Sequence, residues 1–261
     1  MLGAILGDIV GSRWEFNRTN DYNFPWLTKD ENDFTDDTIC TVAVADALLN
    51  GRDFGESIHD WCCRYPYPMG GYGGRFAQWV HSDNPKPYGS FGNGAAMRVS
   101  PVAYWYKYID EVLDAAAATA LPTHNHDEGI KGAQTVALAI FRALQYGEQT
   151  TKHINEILQE CVHFSGYDIN IRKEDVINLF DETCQGTVPV ALWIIGESDS
   201  FEDAVRKAVS LGADADTLGA IVGSIAEAIW GIPEELKFGV MDFVTEEMRE
   251  VIEKFYERLK Q

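Results

Sequence analysis

The chain has 261 residues, 46% apolar and 12% aromatic, which is enough to bury a sizeable core and too apolar for a disordered segment. Forty-one Asp and Glu against 21 Lys and Arg give a formal net charge of −20. That balance argues against nucleic acid and anionic membrane surfaces as partners, because both are bound through clustered cations.

The first twelve residues, MLGAILGDIVGS, are apolar but carry Asp8 inside the run. The first basic residue, Arg13, follows too late for a signal-peptide n-region. No stretch reaches the roughly 18 apolar residues of a membrane span. Residues 37–50 are apolar nearly all round, as a buried helix would be. Residues 65–101 break the helical period. They hold five of the nine prolines and seven of the 23 glycines, interleaved with aromatics, and read as an ordered loop system lining a site.

Helical period returns over 111–120, 129–146, 153–162, 173–181, 188–196, 201–210, 217–230 and 245–259. Two of these segments stand out. Val188 to Ile195 also fits a short buried strand, and Gly219 and Gly223, at i and i+4, leave room for a second helix to approach. The pattern predicts an all-α chain in one domain. Five cysteines, an odd number with no C-x-x-C pair, support neither a disulfide framework nor a structural zinc site. A cytoplasmic location is the corresponding expectation.

Two acidic clusters each precede a strongly apolar helix: Thr35-Asp36-Asp37-Thr38 and Asp214-Ala215-Asp216-Thr217. Either could be an N-cap, since Thr and Asp satisfy first-turn N–H groups and complement the dipole. A cap uses one side-chain oxygen, however, and each cluster offers two carboxylates and a hydroxyl. Like charges buried together need a neutralising cation or a proton. Oxygen donors suit Mg²⁺, Ca²⁺ or Mn²⁺, and four carboxylates match the charge of two divalent ions if the clusters meet.

The run Tyr88-Gly89-Ser90-Phe91-Gly92-Asn93-Gly94 is either a turn before a helix or a cradle whose N–H groups face a phosphate. His124 and His126 flank a helix start, one as a site-wall residue or as a cap. His59, His81, His153 and His163 are isolated, and no G-x-S-x-G nucleophile is present.

Five segments occur in a familiar order: Gly3 to Glu15, Thr35 to Thr38, Gly92-Asn93-Gly94-Ala95-Ala96-Met97-Arg98, Thr123-His124, and Asp214 to Leu218. Together they resemble the ADP-ribosylglycohydrolase family over nearly the whole chain. The resemblance implies a compact, all-helical single domain, an orthogonal helix bundle with a central dinuclear Mg²⁺ or Mn²⁺ cleft. It implies Thr35, Asp36, Asp37, Asp214, Asp216 and Thr217 as metal ligands, and Glu15 as an acid beside the metals. Ser90, Phe91, Gly92, Asn93 and Gly94 would bind the diphosphate of ADP-ribose, with His124 on the site wall.

The implied activity is hydrolysis of the bond between ADP-ribose and a protein or small-molecule acceptor. Glu15, Asp36, Asp37 and Asp214 are the acids expected to act in it. A non-catalytic, crystallin-like relative and a hydrolase of another nucleotide or phosphoester are the alternatives. One departure is visible: the family's usual Gly-Gly-Asp-Ser/Thr-Asp-Thr is here Gly212-Ala213-Asp214-Ala215-Asp216-Thr217, with a hydroxyl lost at Ala215.

Overall fold

Helices supply the regular structure of the residues described, 1–146 and 150–261, in this computed structural model. In chain order they are α1 (Leu2–Ser12), α2 (Asp36–Asn50), α3 (Phe54–Arg64), α4 (Gly74–Val80), α5 (Gly94–Met97), α6 (Ser100–Trp105), α7 (Ile109–Ala120) and α8 (Asp127–Gln145). After them come α9 (Thr151–Ser165), α10 (Lys173–Val176), α11 (Cys184–Gly196), α12 (Phe201–Ser210), α13 (Ala215–Trp230), α14 (Glu234–Val240) and α15 (Glu246–Leu259). The sheet-like pairing among the described residues is a single bridge between Gly92 and Thr183. The all-α expectation holds, and one contiguous core runs through the helices.

That core is organised on α1 and α13, which lie antiparallel with their backbones in contact. A Cβ added at Gly7 would sit 2.0 Å from the Gly219 carbonyl oxygen. At Gly3 it would lie 2.2 Å from Gly223 O, and at Gly11 2.2 Å from Ala215 O. Each helical glycine costs about 0.5–1 kcal/mol relative to alanine, so five along one seam are affordable only because the faces pack this closely. Every residue of α1 is buried, Asp8 included. Ala215, where the family pattern has a hydroxyl, is a member of this seam and is fully buried.

The segment between α1 and α2 folds back over the end of α1. The Asn32 side-chain amide donates to Ile9 O at 2.7 Å, and Asp33 N donates to Ser12 Oγ at 3.2 Å. This return brings Thr35, the first residue before α2, alongside Asp8.

The helical reading of 188–196 holds: these residues lie within α11, with Pro189 accommodated inside it and Thr183 as its cap, accepting from Gly186 N. Other expectations change. The segment 173–181 is helical only to Val176, because Asn178 turns into the left-handed region (φ 59°) and donates its N–H to Leu211 O. The 65–101 loop system contains three short helices, α4, α5 and α6, and α1, α3 and α14 are also additional.

Candidate metal and ligand cleft

Asp8 stands in the middle of α1 with no exposed surface, and it accepts four hydrogen bonds from the start of α2. Thr35 N and Thr38 N donate to Oδ2 at 3.1 and 3.0 Å, Thr38 Oγ1 donates to Oδ2 at 2.5 Å, and Thr35 Oγ1 donates to Oδ1 at 2.8 Å. Burial pushes its carboxyl up, the four donors pull it back, and the result is a pKa of about 6. Asp8 thus anchors the first acidic cluster from another helix. Sequence reasoning did not select it, although an acid inside an otherwise apolar, glycine-spaced run was the available signal.

With that anchor in place, Thr35 caps α2 by accepting from Asp37 N at 3.2 Å. Asp36 and Asp37 are therefore not needed as caps. Asp36 faces the cleft, whereas Asp37 lies beneath it and is 1% exposed. The second cluster meets the first across 180 residues of sequence, where Thr217 Oγ1 donates to Asp37 Oδ2 at 3.1 Å. Asp214 begins α13 without making a side-chain cap bond. It accepts instead from the Asn93 amide at 2.7 Å, and the same amide also donates to Thr187 Oγ1 at 3.1 Å. N-capping therefore accounts for Thr35 and leaves the four carboxylates of the two clusters unexplained.

With Asp8 and Glu15, three of these carboxylates form two overlapping groups, and Asp36, which faces the cleft, is in neither. Asp8, Asp37 and Asp216 each offer an oxygen within 4.8 Å of the others, and so do Glu15, Asp214 and Asp216. Asp216 belongs to both. Burial, followed by mutual repulsion, raises Asp37 and Asp216 well above the usual carboxylate range, and Asp36 rises for the same first reason. Burial lifts Asp214 to about 7, and burial with Asp216 alongside lifts Glu15 to about 9. Asp37 Oδ1 and Asp216 Oδ1 are buried without a hydrogen-bond donor. Unsatisfied carboxylate oxygens grouped this closely are of the type that a hard divalent cation takes as ligands.

The cleft above them has a volume of about 460 Å³, in the range of small-molecule sites. Its lining combines Glu15, Asp36, Asp214, Asp216 and Thr217 with Ser90, Gly92, Asn93, Gly94, Arg98 and His124. A second glycine-rich stretch, Gly70 to Gly74, closes another side, and Gly70 (φ 76°) passes so near Glu15 that an added Cβ would lie 2.5 Å from its Oε2. Phe91 is not part of this lining; its ring is 43% exposed and packs against His126 at 5.4 Å. The two histidines divide the roles considered for them. His124 lines the cleft, and His126 caps α8 by accepting from Glu128 N at 3.1 Å.

The glycine loop differs from a simple N–H cradle. Gly89 N donates to Asn125 Oδ1, Ser90 N to Thr123 O, Gly92 N to Ser90 Oγ and Asn93 N to Glu182 O. These internal bonds satisfy the backbone of an ordered loop. The Ser90 and His124 side chains line the cleft beside this loop, together with Gly94. Asn93 acts on Asp214 and so serves the acid cluster.

Residues 1–261 match the family model described as ADP-ribosylglycohydrolase. The chain is 26% identical to ADP-ribosylhydrolase ARH3 of Mus musculus, over 90% of this chain and 83% of that protein. It is 23% identical to the ADP-ribosylarginine hydrolase Tri1 of Pseudomonas putida, over 89% of this chain and 70% of that protein. A solved structure titled "ADP-ribosylglycohydrolase-related protein complex" superposes with a TM-score of 0.72 at 24% identity, covering 100% of this chain and 97% of that one.

Proposed function

Because the chain belongs to the ADP-ribosylglycohydrolase family, a family of glycosyl hydrolases, we propose that it cleaves the bond between the anomeric carbon of ADP-ribose and an acceptor on a protein or small molecule. Two divalent cations, Mg²⁺ or Mn²⁺, would be held by Thr35, Asp36, Asp37, Asp214, Asp216 and Thr217. The observation that carries the reading is the pair of buried carboxylate groups sharing Asp216, with Asp37 Oδ1 and Asp216 Oδ1 lacking donors. When bound, the cations supply Lewis acidity, orienting ribose hydroxyls and lowering the pKa of a water.

The remaining steps belong to the side chains. Ser90 and His124 present donors to the diphosphate, fixing the sugar over the acids. Bond cleavage passes through an oxocarbenium-like state, whose positive charge the surrounding carboxylates stabilise. One carboxylate of the set Glu15, Asp36, Asp37 and Asp214 takes the proton of the attacking water, and the acceptor departs with a proton. Asp8 holds the start of α2 in place throughout. A cytoplasmic location is part of the proposal, resting on the odd number of cysteines and the lack of a C-x-x-C pair in the sequence.

A panel of ADP-ribosylated arginine, serine and other acceptors, assayed with and without EDTA, tests the reading. EDTA-sensitive release of ADP-ribose is expected. Release of inorganic phosphate instead would assign the cleft to phosphoester hydrolysis, and metal-dependent binding of ADP-ribose without turnover would make the chain a non-catalytic relative.

A further inference from the structure

Arg98, at the end of α5, is fully buried, and none of the ion pairs among the described residues includes it. Its Nη2 donates to Thr119 O and to Thr123 Oγ1, each at 2.8 Å, while Nε and Nη1 have no hydrogen-bond partner. A guanidinium has donors and no acceptor, so the direction of the bond to Thr123 is fixed and the hydroxyl oxygen accepts. The hydroxyl proton must then go elsewhere. The acceptor in reach is His124 Nδ1, 2.7 Å away. Nδ1 consequently carries a lone pair, and the ring proton resides on Nε2.

Nε2 looks onto the glycine loop: a Cβ added at Gly94 would lie 3.0 Å from it, and one at Gly92 3.4 Å. His124 itself lines the cleft, and no protein acceptor for Nε2 occurs among the described residues. We propose that Arg98, acting through Thr123, is a positioning residue that fixes His124 in the Nε2–H tautomer, a preset donor aimed at an anionic oxygen of the bound ligand. The opposite tautomer would turn a lone pair toward that oxygen and strand the Thr123 proton in a buried position. Burial, reinforced by the neighbouring guanidinium, holds His124 well below the usual histidine pKa, so the donor is a neutral imidazole. The buried guanidinium of Arg98, in none of the ion pairs among the described residues, adds a field of the same sense. The identity of the ligand as ADP-ribose rests on the proposed function; the tautomer does not.

Long-range proton–nitrogen NMR spectra of the ligand-free protein read the tautomer directly, with His124→Gln assigning the resonance. A protonated Nε2 and an unprotonated Nδ1 are expected, and a protonated Nδ1 overturns the proposal. Thr123→Val removes the donor to Nδ1 and is expected to mix the tautomers and weaken ADP-ribose binding about tenfold or more. Thr123→Ser should restore both. A folded Thr123→Val protein with the parent spectrum and affinity also overturns the proposal. If that variant fails to fold, the parent spectrum and Thr123→Ser still decide. Failure of the parent protein to bind ADP-ribose would count against the proposed function and leave the tautomer to be judged on its own spectrum.

Discussion

The acid-bearing helix starts and the glycine-rich segments line the same cleft, yet they are held by different means. Beneath Asp8 and Asp216 lies the α1–α13 seam, where backbone meets backbone at Gly3, Gly7, Gly11, Gly219 and Gly223. The segment from Gly89 to Asn93 is held by hydrogen bonds of its own peptide groups, to Asn125, Thr123, Ser90 and Glu182. The acid part concentrates negative charge that destabilises the fold until something neutralises it. The glycine part presents neutral donors, with Arg75 and Arg98 as the cations of the lining. In the proposed reading, local donors and cations held by the acids would offset the long-range repulsion between a chain of net charge −20 and an anionic ligand.

The comparison breaks most sharply at Asp216, the acid common to both carboxylate groups. Asp216→Asn is expected to lower ADP-ribose release by about a thousandfold. Calorimetry should show the metal-free variant at least as stable as the parent, since a buried like charge has been removed. A large loss of stability would mean that Asp216 is structural. Next in size is the seam itself. Gly7→Val forces a side chain into the Gly219 carbonyl and should cost about 3 kcal/mol, lowering Tm by about 6–12 °C. An unchanged Tm would show that the two helices can separate freely.

Cation binding should come third. Mg²⁺ at a hundred times its Kd is expected to stabilise the protein by about 2.7 kcal/mol, and EDTA to reverse the gain. The pH dependence has a definite sign. Asp8, Asp214 and Glu15 are raised to about 6, 7 and 9, so the folded chain binds protons that the unfolded chain has already released. Metal-free stability should therefore fall as pH rises from the ordinary carboxylate range through these values. Because Asp214 is one of these groups and also one of the proposed ligands, protons and cations compete for its oxygens, and the Mg²⁺ increment in Tm should grow over that interval. A pH-independent increment would separate the cation from these acids. The smallest effect is reserved for His126→Ala, which removes the cap of α8 at a cost of about 1 kcal/mol and should leave turnover unchanged.

Much of this was legible in the sequence where polarity changes abruptly. The two acid clusters, the apolar helices behind them and the close-approach glycines of α13 all announce themselves by pattern. Asp8 and α1 do not. A helix buried on every side has no amphipathic period, and its glycines lower its helix propensity, so its regularity is visible only beside its partner. The short helices α4, α5 and α6 fail to register for a related reason, being set among prolines and glycines. Thr123 and Asn93 show a different limit. Their neighbours in sequence say nothing of Arg98 or Asp214, and the hydrogen bonds that define their roles span 25 and 121 residues.

The α1–α13 seam also governs how this site can vary. Where side chains separate two helices, spacing can be adjusted in small steps, one methylene at a time. Here carbonyl oxygens rest on glycine Cα atoms, so the smallest available change is a whole methyl group driven against main chain. Asp8 and Asp216 ride on that contact. Their separation is therefore tied to that contact, and a side chain added at a seam glycine would shift packing and acid spacing together.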